Sequence, residues 1–256
     1  MKRVVTALIL IPFFCYIVLW APQWAFLTTV AAVALICFRE YSELAAMHGI
    51  RKPGLAAYAA GLLLLFPFSK EGAFIVLIAI LAMSLALRLS EMAQVLPEAA
   101  ALLLGIVYVF GSLGCGVDLR AMNPYWLLFA LSLNWIGDIA ALYVGRLFGR
   151  HKLAPQVSPG KTWEGSIGST VASVIYGAVY FRWLLPEAPM GAALGLTVIA
   201  NIAGQLGDLC ESAMKRGAGV KDSGSLLPGH GGWLDRLDSS LFALPVVYFV
   251  VSNLGW

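Results

Sequence analysis

Four of the six aspartates in the chain lie between residues 208 and 238, within the run GDLCESAMKRGAGVKDSGSLLPGHGGWLDRLDS. Asp208 and Glu211 are three residues apart, which puts both carboxylates on one face of a helix, and Lys215 lies one turn further along that face. Asp235 and Asp238 repeat the spacing, with Asp222 between the two pairs. Carboxylates grouped in this way suit Mg²⁺, which takes hard oxygen ligands together with water and phosphate oxygens. Asp208, Glu211, Asp222, Asp235 and Asp238 are therefore candidate metal ligands, for one cation or two. The interleaved Lys215, Arg216, Lys221 and Arg236 can neutralise phosphate oxygens, with Ser212 beside them. Gly229, Gly231 and Gly232 flank His230 and allow a close backbone approach, and amides exposed in such a loop can hold an anion. His230 is a candidate acid or base, against the plainer reading of a hydrogen-bonding loop histidine. A merely solvated loop would carry charge without this regularity.

A second polar block precedes it. Asp138 lies in an apolar run four residues after Asn134, and an acid within a membrane span is a functional candidate by default. The plainer alternative is a helix-packing hydrogen bond with Asn134. Asp138 thus joins the candidate cation ligands. Ser158, Lys161, Thr162 and Glu164 follow in a short hydrophilic loop, with Arg146, Arg150, His151 and Lys152 before it. Pro-Gly-Lys-Thr at 159–162 imitates the end of a phosphate-binding P-loop, but Pro155 stands where the first glycine belongs and no strand is expected ahead of it. What remains is a basic hairpin in which Ser158, Lys161 and Glu164 are candidate substrate contacts, able to meet a triphosphate or an anionic headgroup.

The elements that must position these blocks are membrane helices. Of 256 residues, 60% are apolar and only 12% charged, with a mean hydropathy of +0.83, against roughly 25% charged in a soluble domain. Apolar runs near 4–20, 24–38, 55–68, 73–87, 99–117, 124–144, 166–185, 189–207 and 239–256 predict about nine spans. The fold expected is all-α, a polytopic helical bundle forming one integral membrane domain over 1–256. Residues 1–120 supply amino-terminal spans, and 121–256 supply the spans that carry the polar segments. The opening MKRVVTALILIPFFCYIVLW lacks a small-residue cleavage pattern, so its helix is expected to be retained.

Loop charges set the sidedness, because Lys and Arg collect on the cytoplasmic face. With nine spans and the amino terminus inside, that face receives Lys2, Arg3, Arg39, Arg51, Lys52, Arg88, Arg146, Arg150, Lys152, Lys161, Lys215, Arg216, Lys221 and Arg236. Only Lys70, Arg120 and Arg182 fall opposite. Both polar blocks then face the cytoplasm. The net charge of +3 reflects membrane orientation, not a nucleic-acid partner. Cysteines 15, 37, 115 and 210 have no metal-clip spacing and are read as core residues. Trp20, Trp24, Trp126, Trp183 and Trp256 are read as interfacial anchors, and Arg39, Glu40, Glu43 and Arg88 as interfacial loop charges.

The set Ser212, Lys215, Arg216, Lys221, Asp222, Leu227, Pro228, His230, Gly231, Gly232, Asp235, Arg236 and Asp238 resembles the carboxy-terminal signature of the phosphatidate cytidylyltransferases, the CDP-diacylglycerol synthases. The resemblance extends upstream to GDIAALYVGRLFGRHKLAPQVSPGKTWEG at 137–165; residues 1–120 match in character only. It implies transfer of the cytidylyl group of CTP to phosphatidate in the cell (inner) membrane, with Mg²⁺ and an allowed second cation. It also implies that Lys215, Arg216, Lys221, His230 and Arg236 act in catalysis, and that Ser158, Lys161, Glu164, Ser212, Gly231 and Gly232 bind substrate. Membrane lipids are the other expected partners, and a homodimer is allowed. Two rivals remain at this stage: a CTP-dependent polyprenol kinase or related cytidylyltransferase, and an ion-coupled transporter using the acids as cation sites. A transporter would place such groups near the midplane and show repeated halves, whereas here they crowd one face.

Overall fold

An apolar segment in a bilayer must satisfy its own backbone, and the α-helix does this within one segment. A computed structural model, which describes residues 12–65, 79–80, 82–84, 92–227, 229 and 231–256, is accordingly helical almost throughout. Five of its helices are long and apolar enough to cross a membrane. The first expected span is helical over 12–19, the part of it that is described. Most of the 73–87 run, the end of the 55–68 run, Lys70 and Arg88 lie outside the described residues.

The chain forms two interleaved units, residues 1–118 with 217–236, and residues 119–216 with 237–256. The first contains α1 (Gln23–Met47) and α2 (Leu55–Leu63). It also holds α3 (Val95–Gly105), which runs through a π-helical segment, Ile106–Gly111, into α4 (Ser112–Met122), whose residues from Leu119 onward belong to the second unit. Helix α1 stops at Gly49, whose φ of 85° is open to glycine. The Ile50 amide then donates to Ala45 and the Gly49 amide to Ala46, closing the helix end in a Schellman turn. The core of this unit is aromatic: Phe38 lies against Tyr58 and Phe110, and Tyr41 donates its hydroxyl to the Ala101 carbonyl at 2.8 Å. Gly105 has no side chain because the Tyr41 ring occupies that space.

The second unit contains α5 (Pro124–Phe148), α6 (Trp163–Leu184) and α7 (Met190–Gly217). The body of α8 (Leu234–Leu254) also belongs to it. Asn123 caps α5 by accepting from the Tyr125 amide at 3.0 Å, with Pro124 at the first helical position. Gly145 and Gly165 let α5 and α6 touch backbone to backbone, the small-residue packing of membrane helices. Between them an antiparallel hairpin pairs β1 (Lys152–Ala154) with β2 (Ser158–Thr162).

That hairpin is a departure from the expectation, since a short strand does precede the Pro-Gly-Lys-Thr segment. The P-loop is still excluded, because Pro155 stands where its first glycine belongs and Gly160 and Lys161 lie in strand β2, with the helix beginning only at Trp163 behind its cap Thr162. Trp126 is also not an interfacial anchor. It is 1% exposed and stacks on Trp256 at 5.8 Å, whereas Trp20, Trp24 and Trp183 are exposed. Of the cysteines only Cys37 is fully buried, and none is in a disulfide.

Candidate active site

Helix α7 carries Asp208, Glu211, Ser212 and Lys215 at the spacing that forms one stripe. The Ser212 hydroxyl donates to Asp208 Oδ1 at 3.3 Å, and Glu211 pairs with Lys215, both of them buried. The stripe meets the second polar block through Lys161, whose Nζ lies 2.7 Å from Asp208 Oδ2. Strand β2 delivers that lysine. The hairpin is held to α7 by Arg216, which donates to the Val157 carbonyl at 3.4 Å. Asp238, one turn into α8, lies close enough to Asp208, Glu211 and Asp138 for their charges to act on it. Four carboxylates and two lysines therefore share one region of the second unit.

At the base of the hairpin, Glu164 accepts from the His151 backbone amide at 3.2 Å and meets His151 Nδ1 at 2.6 Å. Its own backbone amide and then the His151 ring hold the Glu164 carboxyl down at about 2. An acid in the first turn of α6 also complements the helix dipole. Glu164 thus fixes where the hairpin joins α6. Ser158 sits in β2, paired with Ala154.

Below Asp208 a polar seam runs between α6 and α7. Asn201 donates to Ser169 and Ser173 at 3.1 and 3.0 Å and accepts from Thr170 at 2.9 Å. Gln205 donates to Asn201 at 2.7 Å and accepts from Ser166. Gly137 of α5 sits against this cluster, where a Cβ would lie 2.7 Å from both Asn201 and Ser169. Asn134 does not bond Asp138: it donates to the Ala130 carbonyl and to Ser240, with Gly204 making room for it. These bonds fix the rotation of α7, and with it the direction in which Asp208 points. No charge or motif marks the seam in the sequence, although Asn201 and Gln205 stand one helical turn apart in an apolar run.

The remaining signature residues belong to the first unit. Lys221, Asp222 and Arg236 are exposed, while Pro228 and His230 lie outside the described residues. Gly229 and Gly231 adopt φ of 77° and 76°, and Leu227 pairs with Gly231 across the turn. Asp235 Oδ2 accepts from the backbone amides of Ser223 at 2.9 Å and Gly232 at 2.7 Å. In this structure the Gly232 amide is engaged by a carboxylate of its own loop instead of lying open to a substrate anion. Glu40 is not an interfacial loop charge. It is 2% exposed on α1 and accepts from Ser223 Oγ at 2.9 Å and from the Trp233 and Leu234 amides at 3.1 and 2.8 Å. Its neighbours Arg39 and Glu43 do form an exposed pair, at 2.9 Å.

The oxygen-rich donor set around Asp208 is chemically suited to a hard divalent cation. Among the described residues, however, no three acidic, histidine or cysteine side chains already converge as a cation site, and Lys161 and Lys215 hold two of the carboxylates.

Residues 1–254 match the model of the cytidylyltransferase family. The chain is 37% identical over 221 residues to the phosphatidate cytidylyltransferase of Staphylococcus haemolyticus, covering 84% of this chain and 85% of the relative. It is 35% and 36% identical over 222 residues to the proteins of the same name from Staphylococcus aureus strain COL and Staphylococcus saprophyticus, with the same coverage.

Proposed function

Because the chain belongs to the cytidylyltransferase family, we propose that it transfers the cytidylyl group of CTP to phosphatidate in the bacterial inner membrane. A phosphate oxygen of phosphatidate attacks the α-phosphorus of CTP, and the bond from that phosphorus to the β-phosphate oxygen breaks. Pyrophosphate carries away the bonding electron pair, and CDP-diacylglycerol stays in the bilayer. The attacking oxygen is already anionic near neutral pH, since a phosphomonoester has its second pKa near ~6. No general base is required. Such displacements depend on alignment and on neutralising charge at the attacking, equatorial and leaving oxygens.

The observation that carries the residue assignment is the Lys161–Asp208 ion pair, which joins the β1–β2 hairpin to the acidic stripe of α7. Lys161, Lys215 and Arg216 of the second unit would meet phosphate oxygens of the substrates, and Lys221 and Arg236 are the further basic candidates, in the loop of the first unit. Asp138, Asp208, Glu211 and Asp238 would hold Mg²⁺, supported by the closeness of the four carboxylates, and Asp222 is a further candidate acid in the loop of the first unit. When bound, Mg²⁺ would supply positive charge to the nucleotide phosphates and free the lysines that now occupy the carboxylates. In this reading the chain has nine spans with its amino terminus inside, so that both blocks face the cytoplasm, where CTP is found and where the headgroup of a membrane lipid can reach them; the distribution of Lys and Arg among the loops supports it.

Detergent-purified protein given Mg²⁺, α-labelled CTP and phosphatidate should yield lipid-extractable label, with none when a polyprenol replaces phosphatidate. Incorporation of γ label would indicate a kinase instead, and no lipid label from either acceptor would defeat the proposal. For sidedness, Cys210, which is exposed, should react with an impermeant thiol reagent only in inside-out vesicles. Reaction in intact spheroplasts would reverse the topology.

A further inference from the structure

We infer that Glu40 is a positioning residue for the transfer reaction, acting through the loop between Asp222 and Asp235. A carboxylate inside a membrane helix bundle is costly unless donors surround it. Glu40 meets that condition with three donors, and all three belong to one distant segment: Ser223 at the loop's start, and Trp233 and Leu234 at its end. One carboxylate therefore fastens the two ends of the loop together. The Trp233 and Leu234 amides are among the orphan donors at the start of α8, where a negative charge is also favoured by the helix dipole.

The glycines of the loop support the same reading. A Cβ on Gly232 would overlap Glu40 and the Ser223 hydroxyl, and a Cβ on Gly224 would lie 2.6 Å from Glu40 Oε1. A Cβ on Gly231 would lie 2.6 Å from Asp235 Oδ2. Gly224, Gly231 and Gly232 are thus small because two carboxylates need the space beside them. Glu40 and Asp235 grip the loop from opposite chain ends, since both take a donor from Ser223, one from its hydroxyl and the other from its amide. Asp222 is the immediate neighbour of that clasp, and Lys221 is next. Loosening the clasp frees the backbone that carries them, and in a reaction that depends on alignment a small displacement is expensive.

Packing of α1 does not need the charge. Phe38, Cys37, Tyr41 and Leu44 bury its apolar side, and Gln has nearly the shape of Glu. In Glu40→Gln the amide nitrogen faces either Leu234 N–H with Ser223, or Trp233 N–H, so at least one donor meets a donor. Ser223→Ala removes one of the three hydrogen bonds and leaves the Ser223 amide on Asp235.

The test uses the full-length enzyme in detergent, and compares Glu40→Gln and Ser223→Ala with Glu43→Gln as an exposed control. Equilibrium binding of labelled CTP counts the competent chains, and turnover is expressed per competent chain. Losing a hydrogen bond to a charged group should lower that turnover about ten- to a hundredfold in Glu40→Gln, and less in Ser223→Ala, with CTP stoichiometry retained. Glu43→Gln should match the unmodified enzyme. A purely structural role predicts a different result, in which activity falls only in proportion to CTP stoichiometry and turnover per competent chain is constant; that outcome overturns the inference. If Glu40→Gln does not fold, Ser223→Ala decides alone, and normal turnover in it defeats the idea. Absence of transfer in the unmodified enzyme would instead count against the proposed function.

Discussion

Lys161→Met separates two roles that one side chain can play. In the structure Lys161 Nζ sits 2.7 Å from Asp208 Oδ2, with the two side chains 26% and 29% exposed. At that distance the attraction is about 1.5 kcal/mol in bulk water and about 6 kcal/mol at an effective dielectric near 20. Partial exposure places the pair between these limits, and desolvation with side-chain ordering leaves a net of about 1–2 kcal/mol. At about 2–4 °C per kcal/mol for a chain of this size, Tm should fall by about 2–8 °C. If Lys161 only restrains Asp208, turnover should hardly change once the folded fraction is corrected. If it also meets a phosphate oxygen in the transition state, losing that charge costs about 3–4 kcal/mol more, a factor of about 10²–10³ in kcat/KM. The assay is label transfer from α-labelled CTP to phosphatidate, beside a thermal melt of the same preparation. A lowered Tm with kcat/KM within about threefold of the unmodified enzyme would refute the substrate contact and leave Lys161 as a partner of Asp208 alone.

Three other perturbations follow from the same geometry. Lys215→Ala leaves Glu211, which is 0% exposed, as an uncompensated buried charge, and should destabilise by about 3–5 kcal/mol in a denaturation series. Adding Glu211→Leu should return most of that stability without returning activity; recovery of both would remove the pair from the site. Gly204→Ala pushes a methyl group into the Asn134 side chain, and should lower both Tm and activity, whereas Gly191→Ala, where nothing lies within 4 Å, should be neutral in both measurements. Glu164 holds a proton only well below its ordinary value of 4.5, at about 2, so its contribution to the hairpin is complete above 4.5 and is lost as pH falls toward about 2. Limited proteolysis between Lys152 and Lys161 should therefore be constant down to that window in the native enzyme. It should already be fast at neutral pH in Glu164→Gln, and equal resistance in the two would show that the clamp is unimportant.

Much of the arrangement in the second unit could be read from spacing. Asp208, Glu211 and Lys215 lie on one helix, so their geometry follows from their sequence separation, and the structure places them on α7 as that separation requires. The pairing of Lys161 with Asp208 could not be read in this way, because it depends on how the β1–β2 hairpin folds over forty-odd residues of intervening chain. The seam at Asn201 and Gln205 was readable in principle, as polar side chains at helical spacing in an apolar run. It was passed over because uncharged residues in a hydrophobic helix do not stand out by composition.

Glu40 is hidden from the sequence for a different physical reason. It stands between Arg39 and near Glu43, two charges that do lie at the surface, and its partners are 183 to 194 residues away. Two of the three are backbone amides, which every residue type except proline carries, so no side-chain pattern announces them. The loop glycines were legible as glycines but ambiguous in purpose. A run that admits a phosphate to the backbone and a run that admits a carboxylate need the same missing Cβ, because both ligands are oxygen anions seeking N–H donors. At Gly231 and Gly232 the anions that come close are Asp235 and Glu40. The glycine-rich segment of the signature is thus explained first as the receiving surface for two internal carboxylates.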